Sequence, residues 1–241
     1  MVEMKTWKTK SGYAIIQLLA GRSSVFLLSH DGKNILVDTG PASHWKKLDG
    51  KLQELGIERL DALILTHAHY DHAGNAARLQ KKYEAKVIAH IAEGPFLARG
   101  ENYALGGTNA LARLLVAVLG KRFARRARYE PCRANLQVDP SFDLREFGFN
   151  AHALHTPGHT AGSLSVIVDN EIALVGDAMF GIFPGSVFPP FAEDPGQLIA
   201  SWGRLLATKC RLFLPAHGSA NSRRLVQKDY EKRKTKCREY Q

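Results

Sequence analysis

The chain has 241 residues, 45% of them hydrophobic, and a formal net charge of +10; such a length lets one domain bury a full core, and no Pro/Gly/Ser-rich linker, low-complexity run or composition break divides it. The longest apolar stretches, such as residues 14–20 and 111–119, fall well short of the roughly 20 residues that span a membrane, and residues 1–10 lack the apolar run of a signal peptide. One soluble, cytoplasmic domain over residues 1–241 is expected, with Cys132, Cys210 and Cys237 too far apart for a disulfide frame or a zinc knuckle and read as reduced thiols.

In chain order, residues 11–20 and 24–30 read as strands, and Asp31-Gly32-Lys33-Asn34 is a hairpin-turn signal leading into Ile35, Leu36 and Val37. That strand ends in Val37-Asp38-Thr39-Gly40. Trp45, Leu48, Leu52 and Leu55 then recur at helical spacing, and Gly56 stops the helix. Residues 61–66 (DALILT) form a continuous apolar run of the kind buried on both faces, leading straight into His67. A helix over 75–83 and a strand over 86–89 follow.

Residues 94–131 break this alternation and read as a helical insertion. Within it Leu111, Leu114, Leu115, Val118, Leu119 and Phe123 share one apolar face, which needs a cover: the metal site, a second copy of the chain, or the domain's own helices. Strands resume at 135–138 and 151–155, and 164–168 pairs with 172–175 across Asp169-Asn170-Glu171. An aromatic, proline-rich loop over 181–191, a helix over 195–207, a strand over 211–214 and a basic helix complete the chain. The halves echo each other: in each, a strand ends in an aspartate (Asp38, Asp177), a helix follows, and a second strand ends near a histidine (His67, His217). Two β-rich halves with outer helices suggest a sandwich whose polar residues meet at one edge.

The chemistry concentrates in Thr66-His67-Ala68-His69-Tyr70-Asp71-His72. Alternate side chains of an extended stretch share a face, so His67 and His69 can converge on one ion. Asp71 and His72 are adjacent and would point apart in a strand, so the chain must turn into a helix to aim both at a second ion. Imidazole and carboxylate donors suit zinc first, then iron, manganese or cobalt. No Ser/His/Asp or Cys/His nucleophile arrangement competes.

The HxHxDH run followed by Ala73-Gly74 resembles the metallo-β-lactamase superfamily, and most of all its glyoxalase II and lactonase branches. ILVDTG precedes it, and HTPGHTAGS (155–163), VGDAMF (175–180) and PAHG (215–218) follow in the order of that family. The resemblance runs from about Ile35 to Gly218. It implies an α/β fold, an αββα sandwich of two mixed sheets flanked by helices. It also implies His67, His69 and His159 on one metal, Asp71, His72 and His217 on a second, and Asp177 bridging them. Asp38 takes a supporting place, suited to a carboxylate that fixes the tautomer of a ligand histidine. Turn formation with Thr39-Gly40 is the other reading of that residue.

The expected cofactors are two divalent ions, zinc first and manganese or iron as alternatives. Two such ions, less Asp71, Asp177 and one hydroxide, leave about one positive charge to bind a developing oxyanion. The expected activity is hydrolysis of a small ester, lactone, thioester or phosphoester by a metal-bridging hydroxide, with Asp71 as catalytic residue. Two alternatives stand beside it: a mononuclear iron persulfide dioxygenase and a nucleic-acid-processing enzyme. The basic clusters at 121–128 and 223–238 keep the second in view, but no aromatic–basic interleaving accompanies them. A small-molecule substrate is the expected partner, with no membrane span, nucleic acid disfavoured but kept open by the basic clusters, and a homodimer admitted. The zinc β-lactamases carry Cys or Ser where Asp177 stands, so antibiotic hydrolysis is not expected. The chain ends soon after His217, without the helical glutathione-binding domain of glyoxalase II, which argues against a glutathione thioester. His30, His44, His90, His152 and His155 are read as ordinary polar residues.

Overall fold

The computed structural model describes residues 4–21, 23–102 and 106–238. One sheet carries seven strands in chain order: β1 (Thr6–Lys8), β2 (Ala14–Leu19), β3 (Val25–His30), β4 (Lys33–Val37), β5 (Ala62–Ile64), β6 (Lys86–His90) and β7 (Leu136–Val138). It is antiparallel up to β4 and parallel from there. The second sheet holds β8 (Ser141–Asp143), β9 (Ala151–His155), β10 (Leu164–Val168), β11 (Ile172–Gly176), β12 (Leu212–Pro215) and β13 (Asn221–Ser222), ordered β13-β12-β11-β10-β9-β8. Only β11 and β12 run parallel in it. Both sheets are therefore mixed.

Side-chain alternation explains the layers. Along β4, Ile35 and Val37 point between the sheets and meet Val166, Leu174 and Leu214, while Leu36 points outward. The outward residues Leu27, Leu36 and Leu63 pack against Leu48 and Leu52 of α1 (Trp45–Glu54) and Leu79 of α3 (Ala76–Lys82). On the far side Ile167, Val175 and Phe213 pack against Leu198, Trp202 and Leu205 of α6 (Pro195–Ala207) and Val226 of α7 (Arg223–Arg238). A strand buried on both faces has no polar register, which is why DALILT reads as a continuous apolar run. The result is the expected sandwich of two mixed sheets flanked by helices.

Several local expectations need correction. The strand expected over 61–66 spans only Ala62–Ile64. Side-chain acceptors end the ladder on both sides: the Asp61 carboxylate accepts from the Asn34 amide (2.8 Å), and the Thr66 amide donates to Asp38 (2.8 Å). The helix expected over 75–83 begins at Ala76 and is preceded by a one-turn helix, α2 (Tyr70–Ala73). The two are kept apart because the Asn75 side-chain amide donates to the carbonyls of Thr39, Gly40 and Pro41 at 2.9, 3.3 and 3.0 Å. The short strands β1, β8 and β13 are additions that no periodic pattern announces.

Between β6 and β7 lie α4 (Gly94–Arg99) and α5 (Ala110–Arg126). On α5, Ala112 is buried, yet Leu111, Leu114, Leu115, Val118 and Leu119 are 44–69% exposed. Packing on the domain's own helices therefore does not cover these five; the Phe123 side chain lies outside the described residues. None of the described helices is long and apolar enough to cross a membrane.

Candidate metal centre

The HxHxDH run leaves β5, passes through extended backbone at His69 and turns into α2, so that Asp71 and His72 sit in the first turn of that helix. The structure brings seven residues into overlapping donor groups: His67, His69 and His159; His67, His72 and Asp177; and Asp71, His72 and His217. Among the described residues, no other histidine enters such a group. His90 and His155 instead stack on each other with ring centroids 3.9 Å apart.

The spacing tests whether metal ions fit. Two donors about 2.1 Å from one tetrahedral ion stand about 3.4 Å apart. His159 Nε2 lies 3.3 Å from His69 Nδ1 and 3.4 Å from Asp177 Oδ2. His217 Nε2 lies 3.3 Å from the same Asp177 oxygen, and His72 Nε2 lies 3.5 Å from Asp177 Oδ1. Asp71 is looser, 3.7 Å from His217 Nε2 and 4.0 Å from His72 Nε2. Asp177 thus touches imidazoles of both outer groups. His72 Nε2 and Asp177 Oδ1 are buried without a hydrogen-bond partner, polar atoms of the kind a bound cation would satisfy. The donor set and its spacing fit divalent ions.

The other nitrogen of several rings is held from behind. Asp38, in left-handed backbone at φ 60°, points one carboxylate oxygen at His72 Nδ1 (2.8 Å) and takes the Thr66 amide on the other (2.8 Å). His67 Nδ1 meets Thr66 Oγ1 at 3.1 Å, and His159 Nδ1 donates to the Phe191 carbonyl at 3.0 Å. Such contacts fix the tautomer and leave Nε2 for the ion. Asp38 therefore holds the His72 ring as well as shaping the turn. Gly158, at φ 126°, makes the corner that presents His159; a Cβ there would sit 2.2 Å from the Leu198 amide.

Burial holds His67 well below the usual imidazole range, helped by the neighbouring imidazoles. His159 is lowered to about 4 by burial, despite Asp177 beside it. His72 is also penalised by burial, but Asp177, Asp38 and Asp71 outweigh it and push the ring up to about 10. His217 moves up for the same reason, with Asp177 the main carboxylate. Asp177 resists the upward pull of its own burial, and His217, His72 and His159 hold it well below the carboxylate range. Asp71 goes the other way: its burial raises it.

Sequence reasoning missed the clamp behind the first motif. Glu93 is buried, and its carboxylate accepts from the Ala68 amide (2.8 Å), the Thr160 hydroxyl (2.8 Å) and the Gly162 amide (3.1 Å). The Tyr129 hydroxyl donates to the Ala68 carbonyl at 2.7 Å. Ala68 lies between His67 and His69, so both sides of its backbone are pinned, and Glu93 ties that segment to the loop carrying His159. Only the absence of a side chain at Gly162 hints at this, because a Cβ there would meet the Glu93 carboxylate at 2.6 Å.

A two-sheet sandwich with histidine and aspartate donors converging at strand ends defines a metal-dependent class. The metallo-beta-lactamase superfamily matches residues 18–217, and the chain belongs to it. Among its relatives, the "Probable metallo-hydrolase YqgX" of Bacillus subtilis is 28% identical over 160 residues, 66% of this chain and 67% of that protein. The hydroxyacylglutathione hydrolase GloC of Haemophilus influenzae is 26% identical over 172 residues, covering 69% and 71%. The chain spans about half (49%) of another relative, a lactamase-like protein of Pestalotiopsis microspora. Among solved structures, an archaeal superfamily protein, ST1585 of Sulfolobus tokodaii, superposes with a TM-score of 0.65 at 22% identity, over 90% of this chain and 85% of that one. TTHA1623, described in a di-iron-bound form, superposes with a TM-score of 0.64 at 26% identity, over 88% and 97%.

Proposed function

We propose that the chain is a dinuclear metal-dependent hydrolase of a small ester, lactone, thioester or phosphoester. One observation carries this reading: a single carboxylate oxygen of Asp177 lies within 3.4 Å of His159 and 3.3 Å of His217, which stand in separate donor groups. His67, His69 and His159 would hold one ion and Asp71, His72 and His217 the other, with Asp177 between them. Zinc suits these donors best, and the di-iron form of TTHA1623 keeps iron as a second choice. Bound there, the ions supply Lewis acidity and a water that ionises near neutrality.

The chain's own residues do the positioning. Asp38, Thr66 and the Phe191 carbonyl hold the imidazoles in the tautomers that face inward. Asp177 is almost wholly buried and stays ionised, which suits a fixed bridge. Asp71 has a side chain 14% exposed and a raised carboxyl, so it is the carboxylate placed to orient the nucleophile and take up its proton. The glyoxalase II-type relatives favour a thioester within the proposed class.

Metal analysis combined with an oxygen test checks the reading. About two divalent ions per chain are expected after supplementation. Turnover of an ester, lactone or thioester should proceed unchanged without O₂ and carry solvent ¹⁸O into the acid product. One iron per chain under all loading conditions, with oxygen uptake on a persulfide, would establish the dioxygenase instead. Metal-dependent cleavage of RNA at physiological salt, lost in His69→Ala, would establish the nuclease.

A further inference from the structure

Apart from Ile91, every large hydrophobic side chain exposed among the described residues lies on α5 or on Ile182 and Phe183 of the loop after β11. At 100° per residue, the five exposed aliphatic residues of α5 occupy an arc of about 140°. That arc is separate from Ala112, which is buried, and Val116, which is half-buried. The helix thus rests on a narrow stripe and turns its aliphatic face to solvent. A contiguous face of this kind marks an interaction site rather than scattered surface hydrophobics.

Its base is fixed at the rim of the metal centre. The Thr108 amide and hydroxyl donate to the carbonyls of Pro190 (2.9 Å) and Pro189 (2.7 Å), and the next carbonyl, of Phe191, receives His159 Nδ1 at 3.0 Å.

Charge decides what covers the face. No acidic residue occurs between Glu101 and Glu130, whereas Arg113, Lys121, Arg122, Arg125, Arg126 and Arg128 all fall there. Of these, Arg122 is exposed and falls within the aliphatic arc, at its C-terminal end. A second copy would bring the same basic helix and the same net charge of +10 against it, which repels. Nucleic acid would meet the cations but leave the aliphatic face uncovered. An anionic bilayer satisfies both at once, with acyl chains against the leucines and lipid phosphates against Arg122.

We propose that α5 is a docking element for an anionic lipid surface. Its aliphatic face enters the boundary between headgroups and acyl chains, and the metal centre is held beside that surface.

Vesicle flotation tests this. The metal-loaded protein should float with vesicles of phosphatidylcholine containing one-third phosphatidylglycerol, and far less with phosphatidylcholine alone. Leu114→Glu combined with Val118→Glu should reduce the bound fraction about tenfold or more, and Arg122→Glu about fivefold. All three positions are exposed, so metal content and turnover of a soluble ester should stay at wild-type levels in both variants. The proposal is overturned if the wild type stays in the soluble fraction, if it binds neutral vesicles equally well, or if the Leu114/Val118 variant floats as the wild type does. A dimer in sedimentation that the same variant dissociates, without vesicle binding, would assign the face to a second copy.

Discussion

Asp38 shows how much one residue can hold. A non-glycine residue at φ 60° sits in a sparsely populated backbone region, and here the conformation aims one carboxylate at both Thr66 and His72. Asp38→Asn should weaken metal binding by about 10–100-fold, because the amide cannot fix the His72 tautomer as a carboxylate does; titration with a zinc indicator reads this, and unchanged affinity would make Asp38 a turn residue only. Protonation gives a second prediction. With no ion bound, His72 at about 10 carries a proton at neutral pH. An ion must displace that proton, so affinity should rise with pH through neutrality, with about one proton released from His72 and a smaller share from His217, whose ring is also raised. Calorimetry in buffers of differing ionisation enthalpy counts them, and metal uptake without proton release would show that His72 is neutral. Asp71→Asn should lower kcat more than it changes KM if Asp71 acts mainly in the transition state. Equal effects on both would reduce it to a ligand. The donors themselves are readable from the chain, since imidazoles at alternate positions after an apolar strand have few other uses. Glu93 is not, because its partners Ala68, Thr160 and Gly162 come from distant segments. Glu93→Gln puts an amide donor against at least one of these donors and should cost about 1–3 kcal/mol of stability; urea melts of the metal-free protein measure it.

Elements matter here chiefly through where they stop. α2 ends after one turn, and that interruption aims Asp71 and His72 inward while Asn75 holds the loop carrying Asp38. The spacing of apolar residues gives the bounds of α6 correctly because Pro195 and the Asp194 side chain, which accepts from the Gln197 amide at 2.9 Å, cap its start. The bounds around the motif run were less legible, since side-chain acceptors rather than periodicity terminate those elements. α6 also supports the metal centre from behind. Trp202 is fully buried, and its indole N–H donates to the Ala178 carbonyl, one residue beyond Asp177, at 2.6 Å. Trp202→Ala should cost about 3–5 kcal/mol and also weaken metal binding, as seen in thermal melts with and without zinc. A melt shift independent of metal would separate the two effects.

At the scale of the whole molecule, the two halves repeat one device. Asp38 follows β4, which pairs in parallel with β5 ahead of His67; Asp177 follows β11, which pairs in parallel with β12 ahead of His217. Cross-links between the sheets bring the two strand ends together: the Leu164 amide donates to the Thr66 carbonyl at 2.8 Å, and the Ser24 amide to the Ala216 carbonyl at 2.7 Å. The two hairpins and the both-face burial of β5 were within reach of the sequence, because they follow from local apolar runs and turn residues such as Asp31-Gly32, both at positive φ. So was the choice of donors, since residue type and spacing limit what a histidine cluster can do. Only the tertiary structure decided which donors stand together, that Glu93 binds two motif loops together, and that the α5 leucines face solvent. Each of these depends on contacts between segments far apart in the chain or on which side of a helix finds a neighbour. An apolar stripe specifies the need for a partner, while the rest of the fold determines whether the chain itself supplies one.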